Sequence, residues 1–205
     1  VEPMNPSVGI LLDGIDISGA GGALTLFDIQ QLEVLRGPQG TIMGANALAG
    51  LINLRSAATD IPVGEILIGA EQFGGHRISS RFGRAASNGW SGRLAVQKYY
   101  SDGFVKNSWL NREDTNSRSE LTSRGSVKWS DSDNAIEGSV YFTRINNGYD
   151  AFSLDNTRYT LSDHPGEDDL TLRAGRVVWL GRLGAYSSLV QLSHAQISTN
   201  YSYDE

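Results

Sequence analysis

The chain predicts a mostly β protein: a partial antiparallel sheet of the transmembrane-barrel kind, preceded by a shorter α+β segment. Three observations predict it. Beyond residue 62, apolar and polar side chains alternate with period two over stretches of about ten residues. The connections between those stretches alternate between short and long. Three of the four tryptophans stand beside short connections.

Taken in order, Val8–Leu12 is a short apolar strand closed by the turn pair Asp13-Gly14. Gly19–Ala23 reads as a flexible loop. Phe27–Leu35 then leads into LEVLRGPQGTIMGANALAGLINL (Leu32–Leu54), two short strands around a loop of small residues. Thr59-Asp60-Ile61-Pro62 marks a change of character. After it, Gly64–Phe73, His76–Arg84, Trp90–Tyr100, Leu121–Trp129, Ala135–Ile145, Leu170–Leu180 and Ala185–Thr199 read as seven strands. Each is near the roughly 9–11 residues that cross a bilayer when tilted. In the third, Trp90, Gly92, Leu94 and Val96 share one face, and Ser91, Arg93, Ala95 and Gln97 the other. In the fifth, Ile136, Val140 and Phe142 oppose Glu137, Ser139 and Thr143. The last two strands are less cleanly patterned.

The links at 86–89, 131–134 and 181–184 are short, and those at 101–118 and 146–169 are long. In an up-and-down sheet, successive links fall on opposite rims. One rim is therefore trimmed and the other bears large polar loops, as in outer-membrane barrels. Trp90, Trp129 and Trp179 fall near the trimmed rim, and Tyr99, Tyr100 and Phe104 near the other. Two aromatic bands of this kind are what the two interfaces of a membrane select. A β-sandwich with aromatics at its strand ends is the plainer alternative.

Composition narrows the partners. Seventeen Lys and Arg against 23 Asp and Glu give a formal charge of −6, which argues against nucleic acid. There is no cysteine, so disulfides and thiolate chemistry are excluded. No apolar run is long enough for a transmembrane helix, which leaves a β-barrel open. The absence of an initial Met and the unclosed end at Tyr203-Asp204-Glu205 read as an excerpt of a longer protein.

FDIQQLEVLRGPQGTIMGANALAGLINL resembles the distal plug of TonB-dependent outer-membrane receptors. Leu32-Glu33-Val34-Leu35-Arg36-Gly37-Pro38 matches the family pattern, as do Gly44, Gly50, Ile52 and Asn53. VGILLDGIDI resembles the family's preceding strand, and Ser101–Asn107 resembles a strand exit of the barrel. Met43, Ala49 and Arg55-Ser56 depart from the usual residues without touching the Arg-Gly-Pro core. The resemblance implies residues 1–58 as the C-terminal part of a plug. It implies residues 59–205 as the first seven or so strands of a barrel of about 22. The lumen wall facing the plug is expected to be polar. Glu33 and Arg36 are then the expected latch, pairing with each other and with wall carboxylates. An ordinary surface pair is the alternative.

The implied activity is binding a scarce nutrient, most often a ferric siderophore-type chelate, and passing it to the periplasm. The partners implied are a TonB-type coupling protein, outer-membrane lipid and the small-molecule ligand. No catalysis and no cofactor is expected, and iron enters only as part of the cargo. Ser18, Gly19, Gly21 and Gly22 lie where the family has an apical plug loop, although a plain linker would look the same. Tyr149, Phe152, Tyr159 and His164, in the loop-rich YDAFSLDNTRYTLSDHPGEDD, are the external ligand candidates. A solvated lid without ligand contact is the alternative there. The three histidines lack metal-ligand spacing. DSDNAIEG starts like a calcium loop but lacks its later glycine and acid. A soluble or secreted β-rich carbohydrate-binding or adhesin module is the second reading.

Overall fold

The computed structural model describes residues 7–23, 25–40, 47–86, 88–150, 153 and 157–204. The first part forms a four-stranded sheet from β1 (Val8–Leu12), β2 (Ile15–Asp16), β3 (Ile29–Arg36) and β4 (Gly50–Ser56), in the order β2-β1-β4-β3. Strand β1 runs parallel to β4, and the other pairs are antiparallel. The β1–β2 hairpin turns through Asp13 and Gly14, both at positive φ (50° and 80°). That is the backbone a two-residue hairpin requires, and Asp-Gly supplies it at little cost. At Gly50 a Cβ would lie 2.8 Å from the Leu35 carbonyl oxygen, so only glycine lets β4 sit this close to β3.

The second part is a seven-stranded antiparallel meander: β5 (Val63–Ala70), β6 (His76–Ala85), β7 (Trp90–Ser101), β9 (Arg118–Ser130), β10 (Ala135–Tyr149), β12 (Gly166–Leu183) and β13 (Tyr186–Tyr201). Neighbours in space are neighbours in this order. The sheet is not closed in this chain. In the two long links, β8 (Lys106–Asn107) and β11 (Tyr159–Thr160) pair in parallel and tie one loop to the other. The seven strands are those the alternation predicts. β10, β12 and β13 run longer, to 15, 18 and 16 residues, because their ladders continue into what the sequence reads as loop at 146–149 and 166–169.

The two faces of this sheet differ sharply. On one, Leu94, Val140 and Leu192 are 50%, 66% and 72% exposed, and no second layer covers them among the described residues. The other face receives the four-stranded sheet. There Leu12, Ile15, Ile17, Ala20 and Leu54 pack against Tyr141, Ile145, Leu170 and Leu172 in one buried cluster. Burying a Leu or Ile side chain contributes about 1.5–3 kcal/mol, so this seam is a principal bond between the two parts. The inner wall is thus not uniformly polar as expected. Inward Leu170 and Leu172 explain the blurred pattern of β12: its apolar residues lie on the inner face where it meets the smaller sheet and on the outer face further along, at Val177 and Trp179.

The segment 19–23 is also not the flexible loop the sequence suggests. Ser18–Ala23 forms two short 3₁₀ turns meeting at Ala20. Ile17 and Ala20 are fully buried, so apolar burial at the start of the segment overrides the freedom of its glycines.

Candidate functional site

Inward-facing arginines on the long strands grip two turns of the smaller sheet. Asp28, at φ 58°, enters β3 and is held by Arg93 of β7. Nε donates to Oδ2 at 2.8 Å and Nη2 to Oδ1 at 2.5 Å. The two side chains are only 3% and 7% exposed. The Arg93 Nη1 group also faces the carbonyls of Ala58 and Ile61 at 3.4 and 3.3 Å. On β9, buried Arg124 donates to the carbonyls of Thr25, at 2.9 Å, and Phe27.

The second grip is at Asp13. Its Oδ1 accepts from the Ser56 amide at 2.9 Å and its Oδ2 from the Tyr141 hydroxyl at 2.7 Å. Arg176 of β12 donates to the Asp13 carbonyl at 2.8 Å and to Glu137 at 2.5 Å. The bidentate, charge-assisted contact of Arg93 with Asp28 fixes orientation as well as adding strength. The alternation places Arg93 on the polar face of its strand, but neither it nor Arg124 stands out as a site residue in the sequence. Period-two cations on a face turned toward a second body are the signal that could have marked them.

Nearer the rim with the long loops, a cavity of about 630 Å³ lies between Thr25–Phe27 and the wall. Thr25 Oγ1 donates to Gln97, which donates to Ser79. The Tyr99 ring is flanked by the guanidinium groups of Arg77 and Arg118, at 5.0 and 5.3 Å from its centroid. Arg77 pairs with Glu71 at 3.2 Å, and Arg118 with Glu120 at 2.6 Å. The site offers two cations around one aromatic face, each held by an exchangeable carboxylate. This corrects the placement of Tyr99 in a membrane-facing band. Adjacent strand residues point to opposite faces, so Tyr100 faces outward, beside His76 at 5.1 Å, and Tyr99 faces inward.

The other predicted residues are spread out. Glu33 accepts from Gln31 and Asn53, both at 2.8 Å, and among the described residues no ion pair joins it to Arg36. Three positions apart in a strand, the two point to opposite faces, so the expected mutual pair does not form. Arg36 is exposed beside Gly37, whose φ is +87°. Pro38 follows in the turn, Gly50 and Asn53 lie on β4, and Gly44 lies outside the described residues.

Ser18 spends its hydroxyl within the smaller sheet, accepting from the Ile10 amide and donating to Asp16. Gly19, Gly21 and Gly22 lie in the 3₁₀ turns. Tyr149 stacks edge-on with Tyr201 at 5.1 Å, and Tyr159 sits in β11 with Arg158 at 5.7 Å from its ring. His164 is exposed, and Phe152 lies outside the described residues. None of Ser18, Tyr149, Tyr159 and His164 lines the cavity at Tyr99. Trp90 and Trp129 are directly paired, and Ile136 pairs with both Trp129 and Trp179, so the tryptophans share one level. Among the described residues no group of three or more His, Asp or Glu side chains could hold a metal ion.

Comparison with known proteins agrees with this architecture. Residues 3–51 match the family model of the TonB-dependent Receptor Plug Domain. A pesticin receptor of Yersinia enterocolitica is 39% identical over 56 residues, 27% of this chain and 8% of the relative. The vitamin B12 transporter BtuB of Vibrio vulnificus is 29% identical over 100 residues, 46% of this chain and 16% of the relative. Among solved structures, the ferric yersiniabactin uptake receptor FyuA from Yersinia pestis superposes with a TM-score of 0.81 at 20% identity. The match covers 98% of this chain and 33% of that one. The chain thus spans a third or less of the length of each protein it resembles here.

Proposed function

We propose that this chain builds the plug and wall of a TonB-dependent outer-membrane receptor, a reading supported by its plug-domain match and by its fold, and that the protein takes up a scarce nutrient, a ferric siderophore-type chelate. Uptake draws on energy from TonB, and the cargo passes to the periplasm. Residues 1–58 serve as the distal plug and 59–205 as the first wall strands. The observation that carries the reading is the charged packing of Asp13 and Asp28 on the inner face of a sheet whose outer face is apolar and bare. That is the arrangement of a stoppered pore in lipid. Soluble binding modules have no use for an uncovered apolar face of this size.

The cavity at Tyr99 supports the chelate over a neutral ligand. Its two guanidinium groups suit carboxylate, catecholate or phenolate oxygens, with Glu71 and Glu120 as the groups an anionic ligand displaces. The similarity to a vitamin B12 transporter keeps a corrinoid as the second reading. Glu33 and Arg36 remain latch residues toward wall strands beyond this chain, acting separately rather than as a pair. The test is uptake by a strain lacking its own receptors and carrying the full-length gene. TonB-dependent entry of a radioiron-loaded siderophore, reduced by Arg77→Ala with Arg118→Ala, is expected. Uptake of cyanocobalamin alone establishes the corrinoid reading, and growth without TonB overturns both.

A further inference from the structure

Where the two long loops meet the β5–β6 turn, a second cavity of about 310 Å³ opens at the rim. Two aromatic rings, Phe73 and Phe104, line it together with five charged side chains. None of its residues lines the cavity at Tyr99, so the uptake reading leaves it without a role. Its size is at the lower end for sites that enclose a small molecule.

Three segments build this cavity, and hydrogen bonds lock them together. Phe73 stands at φ 59°, a left-handed conformation that is costly for a bulky side chain. Its carbonyl accepts from the Asp102 amide at 3.0 Å and from the Ser101 hydroxyl at 3.2 Å. Gly74 follows, and a Cβ there would collide with the Asp102 carboxylate. Strands β8 and β11 bring in the second long loop. The Lys106 amide donates to the Arg158 carbonyl at 2.8 Å, and the Ser108 amide to the Thr160 carbonyl at 2.9 Å. The strained turn sets the Phe73 ring beside that of Phe104, with centroids 6.3 Å apart and planes at 56°. Both residues are about half exposed, at 48% and 56%.

The charges around the rings select the ligand. Asp102, Glu113 and Asp114 supply three carboxylates, and Lys106 and Arg158 two cations. Lys106 pairs with Glu113, and Asp114 with Arg112 at 2.8 Å. Asp102 accepts from the Tyr100 hydroxyl at 3.0 Å. Arg158 lies 5.7 Å from the Tyr159 ring centroid and has no carboxylate partner among the described residues. The carboxylates repel an anion and the two cations repel a cation. An uncharged ligand that carries donors and acceptors together, and has an apolar face, suits every group. A pyranose is such a molecule. Its hydroxyls donate to carboxylates and accept from a guanidinium, and its C–H face is attracted to the negative face of an aromatic ring.

We propose that this cavity binds a neutral pyranose unit of a glycan, at a site separate from that of the transported cargo. A glycan free in the surroundings and the cell's own polysaccharide present the same chemistry, and the experiment tells them apart.

The full-length protein is kept in a detergent without a sugar headgroup, which would otherwise compete. It is screened on an array of neutral plant and microbial oligosaccharides, on the delipidated polysaccharide of the strain that carries the gene, and on hexagalacturonate. Calorimetry then gives the affinity of each retained glycan. At least one neutral glycan is expected to bind saturably, and hexagalacturonate is not. Whichever of the foreign oligosaccharide and the cell's own polysaccharide binds more tightly names the source. F104A and R158Q should each weaken binding roughly tenfold, F104W should restore it, and ferric-chelate uptake should be unchanged in all three. Because Arg158 is exposed, R158Q supplies the reading should F104A misfold. Retention of no neutral glycan, equal binding by wild type, F104A and R158Q, or loss of uptake along with glycan binding overturns the proposal. Glycan binding by a wild-type protein that imports no chelate supports it and refutes the uptake reading alone.

Discussion

Substituting Asp28 by Asn keeps the shape of the turn and removes the charge that Arg93 is built around. The pair is bidentate and nearly solvent-free, with side chains 3% and 7% exposed. The remaining partners of Arg93 are two carbonyls at 3.3–3.4 Å, too long to replace a carboxylate. Removing one member of such a buried pair costs about 3–5 kcal/mol, mostly from stranding the other charge. At about 1.4 kcal/mol per decade, the equilibrium for releasing this edge of the plug should shift by roughly two to three and a half decades.

The full-length protein is assayed by limited proteolysis of the smaller sheet and by sensitivity of cells to a large antibiotic. D28N and R93Q should each raise both. The double variant should raise them by less than the sum, because no unpaired charge is left. Glu65→Gln is the control. Its pair with Arg81 is within the wall and about one-third exposed, so it is worth under about 1 kcal/mol. D28N behaving like E65Q, or a D28N/R93Q coupling below about 0.5 kcal/mol, would refute the clamp.

Three further outcomes follow from the same geometry. Tyr141→Phe deprives the Asp13 carboxylate of a buried donor at 2.7 Å and should lower unfolding stability by about 1.5–3 kcal/mol, measured by thermal denaturation in detergent. Asn107, 1% exposed, ties the two long loops through Asp150 and the Ser162 carbonyl; Asn107→Ala should make both loops protease-sensitive while leaving the wall intact. At the turn 131–134, the amides of Asp133 and Asn134 donate to Asp131 and hold its carboxyl below the ordinary 3.8. A depressed value stabilises the turn above that pH and ceases to do so as pH falls through the folded value. Amide exchange at residues 133 and 134 should therefore stay slow down to about pH 4 and quicken below it, and exchange independent of pH in that window, after correction for intrinsic rates, would count against it.

The wall was readable because alternation is a local property. Ile136, Val140 and Phe142 report their face from their own spacing, and the parity of loop lengths reports the topology. What holds the plug to the wall was not. Arg93 meets Asp28 across 65 residues and Arg176 meets the Asp13 carbonyl across 163. A backbone carbonyl acceptor has no sequence signature at all. Reading Tyr99 and Tyr100 as one band, and Glu33 with Arg36 as one pair, failed for a shared reason. The band was read from a shared level on the sheet and the pair from the resemblance, and in both the pleat intervenes, because a strand sends odd separations to opposite faces.

Asp13 carries the deeper consequence. It was readable as half of a turn pair, yet the same residue joins three structures. Its amide donates to Leu54 and its Oδ1 receives Ser56, which caps β4. Its Oδ2 and carbonyl are held by Tyr141 and Arg176 of the wall. Pulling this turn off the wall therefore loosens the end of the plug's own central strand, and that strand also supplies Leu54 to the buried seam. Hydrogen bonds and apolar contacts that share residues fail together rather than in sequence. Detachment at Asp13 should accordingly be cooperative, with this half of the plug either seated and folded or released and unravelled, and no stable state in which it swings free as an intact sheet.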